Sequence, residues 1–133
     1  MKKRIVIVDD ADDNRAIMRR VLEGEFDVGD YADGPSALEG LAVEPAHLVL
    51  LDISMPVMDG FEVLRRMRAD PRLCDLLVVA FTALATEAER SDYVEMGFDD
   101  LILKPAGVEP FRARVRELLA RGGCSQLLGD ACG

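Results

Sequence analysis

The chain has 133 residues, half of them apolar, which is enough for one buried core and too few for two ordinary domains. Its 25 acidic and 16 basic side chains give a formal net charge of −9, which disfavours direct binding to a nucleic-acid backbone. The first apolar run, Ile5–Val8, is far too short for a signal peptide or a membrane span.

Five short apolar runs alternate with segments of helical length along the chain. The runs are Ile5–Val8, Asp27–Tyr31, Leu48–Leu51, Leu77–Phe81 and Leu101–Leu103. This alternation predicts βαβ units and a parallel sheet. Three of the runs are continuously apolar, as expected for central strands covered by helices on both faces. The more polar second run is predicted to lie at an edge.

The intervening segments show the apolar spacing of amphipathic helices. The side chains predicted to face inward from the first four helices are Ile17, Val21 and Leu22; Leu38, Leu41 and Ala42; Val63, Leu64 and Met67; and Ala88, Val94 and Met96. The fourth helix, at about residues 86–96, has the thinnest apolar stripe. A helix anchored so lightly is free to shift.

The last predicted helix is the most regular one. Its apolar residues recur at i, i+4, i+7 and i+8, and they are Phe111, Val115, Leu118 and Leu119. The pair Gly122-Gly123 would end this helix. We therefore predict one domain over residues 1–121 and a disordered tail over residues 122–133.

The three cysteines are Cys74, Cys124 and Cys132. Their odd number and irregular spacing match neither a disulfide framework nor a zinc site. The simplest setting for such a chain is the reducing cytoplasm.

Polar residues follow four of the five predicted strands. Asp9 and Asp10 close the first strand, Asp52 closes the third, Thr82 follows the fourth, and Lys104 follows the fifth. In an open parallel sheet, ligands bind beyond the carboxyl ends of the strands, near the point where the strand order reverses. The fold would therefore bring three carboxylates, a hydroxyl and an ammonium group to one edge.

Each of these groups suits phosphoryl transfer. Asp10 and Asp52 are natural ligands for Mg²⁺, which relieves the repulsion between carboxylates, and Asp9 would act nearby or through water. Asp52 would be the nucleophile, and Mg²⁺ and Lys104 would neutralise charge on the phosphoryl oxygens. Thr82 would donate a hydrogen bond to one of those oxygens.

Each residue also has a simpler interpretation. An Asp-Asp pair after a strand often caps a helix, and a lone aspartate such as Asp52 is commonly a turn residue. Thr82 could bond only the backbone, and Lys104 could be solvated. Their joint placement on successive strand ends favours a site. His47, the only histidine, is predicted to be a loop residue rather than a base or a ligand.

Four sequence blocks connect the chain to a known family. It reads IVIVDD at residues 5–10, LLDISMPVMDG at 50–60, FTA at 81–83 and LKP at 103–105. In this order, over about residues 3–121, the blocks resemble the receiver domain of bacterial two-component response regulators. The resemblance implies a flavodoxin-like α/β fold, which is a doubly wound, five-stranded parallel sheet of order 2-1-3-4-5.

The resemblance also implies a role for each residue of the site. Asp52 would be the phosphoacceptor, and Asp9 and Asp10 would be the acidic pair that binds Mg²⁺ together with Asp52. Thr82 would be the switch hydroxyl. Lys104 would contact the phosphoryl group.

Three further positions enter through the same resemblance. The backbone carbonyl of Ser54 would be a metal ligand, and Pro105 would be the proline that follows the family's lysine, often after a cis bond. Leu101 departs from the family, which usually has tyrosine or phenylalanine there to turn inward with the threonine. Ala106 stands where the family usually has phenylalanine.

We expect a stand-alone signalling switch. A sensor histidine kinase or a histidine phosphotransfer protein would phosphorylate Asp52, and the altered surface would bind another protein, with no contact to nucleic acid or membrane. A phosphate relay or sink, and a phosphate-independent pseudo-receiver, remain alternatives. A dehalogenase-type phosphatase would need an aspartate at Ser54, and a dinucleotide-binding protein would need a glycine-rich loop after the first strand. We therefore expect that the protein is a signalling domain and not an enzyme.

Overall fold

The structure is a computed structural model that describes residues 2–104 and 107–128, with the backbone alone described for 122–128. Strands and helices alternate throughout this part of the chain. In chain order they are β1 Arg4–Val8, α1 Asp12–Leu22, β2 Asp27–Tyr31, α2 Gly34–Val43, β3 Leu48–Leu51, α3 Gly60–Ala69, β4 Leu77–Thr82, a 3-10 turn Glu87–Glu89, α4 Arg90–Met96, β5 Asp100–Leu103 and α5 Val108–Leu128.

The five strands form one parallel sheet in the order β2-β1-β3-β4-β5. This confirms the predicted fold class, and it also places the polar second strand at an edge. The chain therefore winds outward in both directions from the neighbouring strands β1 and β3. Their carboxyl ends border the crevice at which the strand order reverses.

Both faces of the sheet are covered, which explains the continuously apolar strands. In β1, Ile5 and Ile7 pack into the core cluster beneath α1 and α5, whereas Val6 and Val8 pack into the cluster beneath α2, α3 and α4. Successive side chains of a strand point to opposite faces. A strand covered on both sides must therefore be apolar at every position.

Two helices present different faces from those predicted. In α1, Met18 and Leu22 are buried, but Ile17 is 60% exposed. In α4, Val94 and Met96 are exposed and Tyr93 is buried instead. The regular helix begins only at Arg90, after a 3-10 turn with a different angular spacing, so the apolar spacing counted from Ala88 predicted the wrong face.

The last helix continues beyond the predicted stop. It buries Phe111, Val115, Leu118 and Leu119 as predicted, but it runs past Gly122 and Gly123 to Leu128. A glycine inside a helix costs about 1 kcal/mol and leaves the backbone hydrogen bonds available, so it does not by itself end the helix. The division into a domain over residues 1–121 and a disordered tail over residues 122–133 stays a prediction, and residues 129–133 lie outside the described part.

Two other features concern the cysteines and the possibility of a membrane span. Cys74, which is buried after α3, is disulfide-bonded. The cysteine spacing did not predict this bond, because spacing along a chain does not show which cysteines the fold brings together. Among the described residues, every helix is too short or too polar to cross a membrane.

Candidate functional site

The register of the central strands places two aspartates side by side. Val8 pairs with Leu51 at the ends of β1 and β3, so that Asp9 and Asp52 are the next residues on the two strands. The backbone N–H of Asp52 donates to the carbonyl of Val8 at 2.9 Å, which continues the ladder by one bond. The crevice at the reversal of strand order therefore begins with two adjacent carboxylates.

Asp10 completes a cluster of three carboxylates, called here the acidic site. One oxygen each from Asp9, Asp10 and Asp52 lies within 4.8 Å of the other two. Asp9 is 1% exposed and Asp52 is 8% exposed, whereas Asp10 is open to solvent. Two buried negative charges at this separation repel each other strongly unless a cation lies nearby.

Lys104 supplies the nearest positive charge in the described part of the chain. Its Nζ lies 2.9 Å from Asp9 Oδ2 and 3.6 Å from Asp52 Oδ1. The same ammonium group is 5.1 Å from the centre of the Phe81 ring, which adds a cation–π contact. Lys104 follows β5, two strands away from β3, so only the sheet brings it to the acidic site.

The surroundings of Asp52 disfavour its charged form. Burial raises the pKa of Asp52 above its ordinary value, and the charges of Asp9 and Asp10 raise it further. The Lys104 ammonium and the Ser54 N–H, at 3.4 Å from Asp52 Oδ1, act in the opposite direction without cancelling the effect. A divalent cation at this point would favour the ionised carboxylate that a nucleophile requires.

This raised pKa predicts that Asp52→Asn stabilises the protein at neutral pH in the absence of metal. A carboxyl whose pKa is higher in the folded state stabilises the fold below its unfolded pKa, near 3.8, and that stability is lost as the pH rises through the folded value. Asparagine does not ionise, so the variant does not lose this stability as the pH rises. Urea unfolding in a chelator should give the largest gain at pH 7 and none below about pH 4. A variant that is less stable at pH 7 would contradict the assignment.

Thr82 at the end of β4 and Ser54 in the loop after β3 lie at the same edge of the sheet as the acidic site. Thr82 is buried at the end of β4, and its Oγ1 accepts a hydrogen bond from the backbone N–H of Leu84 at 3.0 Å. Ser54 is exposed, two residues after Asp52. Both residues thus stand at the predicted edge of the sheet. Pro105 and Ala106 lie outside the described residues.

The position that departs from the family is filled by a core residue. Leu101 is completely buried on the side of the sheet covered by α2, α3 and α4. Three rings pack in a neighbouring group, with centroids 5.7 Å apart for Phe61 and Tyr93, 5.7 Å for Tyr93 and Phe98, and 6.2 Å for Phe61 and Phe98. Local sequence patterns do not predict this group, because its members come from α3, α4 and the loop after α4.

The loop between β3 and α3 contains a strained residue that the sequence analysis also missed. Val57 is fully exposed and has a φ of 69°, a left-handed value that β-branched residues rarely adopt. The Met58 N–H donates to the Pro56 carbonyl across it at 2.7 Å, and the Gly60 N–H donates to the Ile53 carbonyl at 2.9 Å. These bonds close the loop tightly behind Asp52. Such strain persists only where the surrounding structure enforces it.

The donor set of the acidic site fits Mg²⁺. Carboxylate oxygens are the ligands that this hard cation prefers, and its octahedral shell at about 2.1 Å places ligand oxygens about 3 to 4 Å apart. The three oxygens of the acidic site lie within 4.8 Å of one another, which is close to that range. Asp10 is exposed and has no hydrogen bond to its carboxylate in the described part of the chain, so it can move the remaining distance.

Comparison with known proteins identifies the family. A family model for the response regulator receiver domain matches residues 5–116. The chain belongs to the response regulator receiver family. Receiver domains act as phosphorylation switches in two-component systems, bind Mg²⁺ at an acidic pocket, and interact with histidine kinases or phosphotransfer proteins.

Curated relatives of this receiver domain are longer proteins. It is 38% identical over 119 residues to the response regulator PleD of Caulobacter vibrioides, a match that covers 89% of this chain and 26% of PleD. It is 36% identical over 125 residues to the probable transcriptional regulator ycf27 of Cyanophora paradoxa, covering 90% of this chain and 49% of that protein. The chain thus spans about half or less of the length of these relatives.

Solved structures show the same architecture. The N-terminal domain of a response regulator receiver protein from Methanoculleus marisnigri superposes with a TM-score of 0.72 at 33% identity, over 89% of this chain and 97% of that one. The chemotaxis protein CheY4 of Vibrio cholerae superposes with a TM-score of 0.81 at 21% identity, over 89% of this chain and 99% of that one. The second match bears on the fold alone.

Proposed function

We propose that this receiver domain is a phosphorylation switch that accepts a phosphoryl group on Asp52 from a sensor histidine kinase or a histidine phosphotransfer protein. The observation that carries the proposal is the acidic site with Lys104 beside it. Three carboxylates and one ammonium group from three strands converge at the crevice where the strand order reverses. This arrangement supplies a nucleophile, ligands for a hard cation and a cation for the phosphoryl oxygens.

In the proposed reaction, a carboxylate oxygen of Asp52 forms a bond to phosphorus while the bond from phosphorus to the donor's histidine nitrogen breaks. The electron pair of that bond goes to the imidazole, which then takes up a proton. Asp9, Asp10, Asp52 and the backbone carbonyl of Ser54 would hold Mg²⁺, which when bound neutralises charge on the carboxylates and on the transferred group. Attack by water on the resulting acyl phosphate returns Asp52 to its free form.

Two residues of the chain would respond to the new charge. The Lys104 ammonium, now 2.9 Å from Asp9 and 3.6 Å from Asp52, would pair with a phosphoryl oxygen. The Thr82 hydroxyl, now an acceptor for the Leu84 N–H, would turn to donate to another oxygen. Its movement would pull residues 83–86, which lead through the 3-10 turn Glu87–Glu89 into α4.

We propose that the signal leaves through α4 and that another protein reads it. Tyr93 is the one buried residue of α4, whereas Val94 and Met96 are exposed. Apart from Arg90, which donates to buried Asp100, the helix has few buried contacts and needs little free energy to shift. Because residue 101 is leucine, no ring at that position moves with Thr82, and the loop that joins Thr82 to α4 would carry the movement instead.

The test is phosphorylation by a small-molecule donor. With acetyl phosphate and Mg²⁺, the intact mass of the protein should rise by one phosphoryl group, about 80 Da. Asp52→Asn and a chelator should each abolish the gain. Asp13→Asn is a matched control, because Asp13 is an exposed aspartate of the first turn of α1 outside the acidic site, and this variant should gain the full mass.

A folded protein that gains no mass, with a cognate phosphodonor protein also tried, would overturn the proposal in favour of a phosphate-independent binding module. Rapid passage of the group from Asp52 to a second histidine protein would instead favour a phosphate relay or sink. The lifetime of the phosphorylated protein, measured alone and with a phosphotransfer partner, separates a switch that keeps the phosphoryl group from a relay or sink that passes it on.

A further inference from the structure

The two aspartates that follow β1 are held in different ways. The Asp9 carboxylate is bonded on both oxygens, since Oδ1 accepts from the Ala11 N–H at 2.9 Å and Oδ2 accepts from Lys104 Nζ at 2.9 Å. The Asp10 carboxylate accepts no hydrogen bond within the described residues. The backbone is therefore what fixes the direction of the Asp10 Cα–Cβ bond, while the carboxylate beyond it is free to rotate.

That backbone is held by Arg15 of α1. Arg15 Nη1 donates to the backbone carbonyl of Asp9 at 2.6 Å, and Nη2 donates to the Asp12 carboxylate. Its Nε lies 3.9 Å from Asp30 Oδ2, at the end of β2. The side chain is only 15% exposed. One guanidinium group thus ties the turn after β1 to both α1 and β2.

The carbonyl that Arg15 holds belongs to the peptide that joins Asp9 to Asp10. A peptide group is planar, so the direction of the Asp9 oxygen also sets the positions of the Asp10 nitrogen and Cα. We infer that Arg15 is a positioning residue for the metal site, which holds this peptide so that the free Asp10 carboxylate points into the acidic site. The inference rests on the proposed function, because it assumes that Asp10 binds Mg²⁺.

If Arg15 acts by positioning Asp10, its removal should weaken Mg²⁺ binding. If it acts only through its charge, its removal should strengthen Mg²⁺ binding. A guanidinium group near a cation site repels the cation, so removing it would strengthen Mg²⁺ binding if charge were its only effect. If Arg15 orients Asp10, removing it weakens binding despite the lost repulsion. Removing a group that orients a metal ligand lowers the metal affinity by roughly 10- to 100-fold.

The experiment measures the Mg²⁺ dissociation constant by titration calorimetry for the unphosphorylated full chain and three variants. Arg15→Met removes both the charge and the donors, whereas Arg15→Lys keeps the charge and loses the planar fork. Both should bind Mg²⁺ about tenfold more weakly than the wild type. Arg19→Met is the matched control, because Arg19 lies one turn later on α1 and donates to the carbonyl of Val28 at 2.7 Å, away from the acidic site. It should bind Mg²⁺ as the wild type does.

The outcomes separate this inference from the proposed function. Wild-type binding with equal or tighter binding by Arg15→Met would overturn the inference and leave the proposed function standing. An equal weakening by Arg19→Met would also overturn it, because the effect would then follow from general loss of stability. A wild-type protein that binds no Mg²⁺ would overturn both. If Arg15→Met does not fold, Arg15→Lys decides between the same outcomes.

Discussion

Replacing Gly60 with alanine is expected to lower the free energy of unfolding by about 3 kcal/mol, which is at the upper end of the cost of overpacking a core. A Cβ at Gly60 would lie 2.6 Å from the backbone oxygen of Asp52, 2.7 Å from Ile53 Cδ1 and 2.8 Å from Ile53 Cα. Two of these atoms belong to the backbone, so they cannot move aside without displacing the end of β3. Chemical denaturation should show the loss directly.

The same displacement should reduce phosphorylation. Gly60 touches the backbone of the residue that carries the proposed nucleophile, so Gly60→Ala should take up the phosphoryl group more slowly than the wild type even under conditions where it is fully folded. Gly24→Ala is the matched control, because a Cβ there meets no atom within 4 Å. Equal stability of the two alanine variants would contradict the close contact behind Asp52.

Replacing Asp100 with asparagine is expected to cost about 3 kcal/mol of stability, as is typical when one partner of a buried ion pair is removed. Asp100 begins β5 and is 4% exposed. Its carboxylate accepts hydrogen bonds from Arg90 of α4 and from Arg114 and Arg121 of α5. Asparagine would leave these three guanidinium groups without their shared negative charge. The melting temperature should fall by about 10 °C, measured by calorimetry.

The effect should depend on pH in a defined direction. Burial alone would raise the pKa of Asp100, but the Leu101 N–H and the guanidinium groups of Arg114 and Arg90 lower it below its ordinary value of 3.8. Stability from a carboxyl with a lowered pKa is present above the unfolded pKa and is lost as the pH falls through the folded one. The difference between wild type and Asp100→Asn should therefore be complete at pH 7 and shrink below about pH 4.

A carboxylate on the surface provides the comparison for Asp100. Glu25 accepts two hydrogen bonds from Arg116 of α5, at 2.6 and 2.8 Å, but both side chains are exposed. Exposed ion pairs contribute little to stability because water and salt screen them. Glu25→Gln should therefore be much less destabilising than Asp100→Asn. Similar losses for the two variants would contradict the role of burial at Asp100.

Short-range patterns predicted the elements that are long or strongly apolar. The strongly apolar strand Leu48–Leu51 begins and ends where the sequence predicts, and the apolar stripe of α5 is buried as predicted. The pattern was least informative in α4, which has only seven residues. With fewer than two full turns, the face that packs depends on neighbouring rings such as Phe61 and Phe98 rather than on the spacing within the helix.

Side chains that reach across the fold could not be predicted in this way. Nothing in the local sequence distinguishes Arg15 and Arg90 from the other charged residues of their helices, yet each bonds groups on other elements. Asp100 stands in an Asp-Asp pair like Asp9 and Asp10, but it binds arginines at the opposite end of its strand from the acidic site. Long side chains find partners according to distances in the folded chain, which the local sequence does not contain.

The sequence by itself determined the alternation of strands and helices, the polar residues that follow four of the five strands, and hence the edge of the sheet at which a site would form. These properties follow from the periodicity of side chains along a strand or a helix, which is a local matter. The tertiary structure alone decided how close the carboxylates of Asp9, Asp10 and Asp52 come to one another and to Lys104. Those distances depend on strand order and register, which are set by the packing of the whole sheet between its two layers of helices.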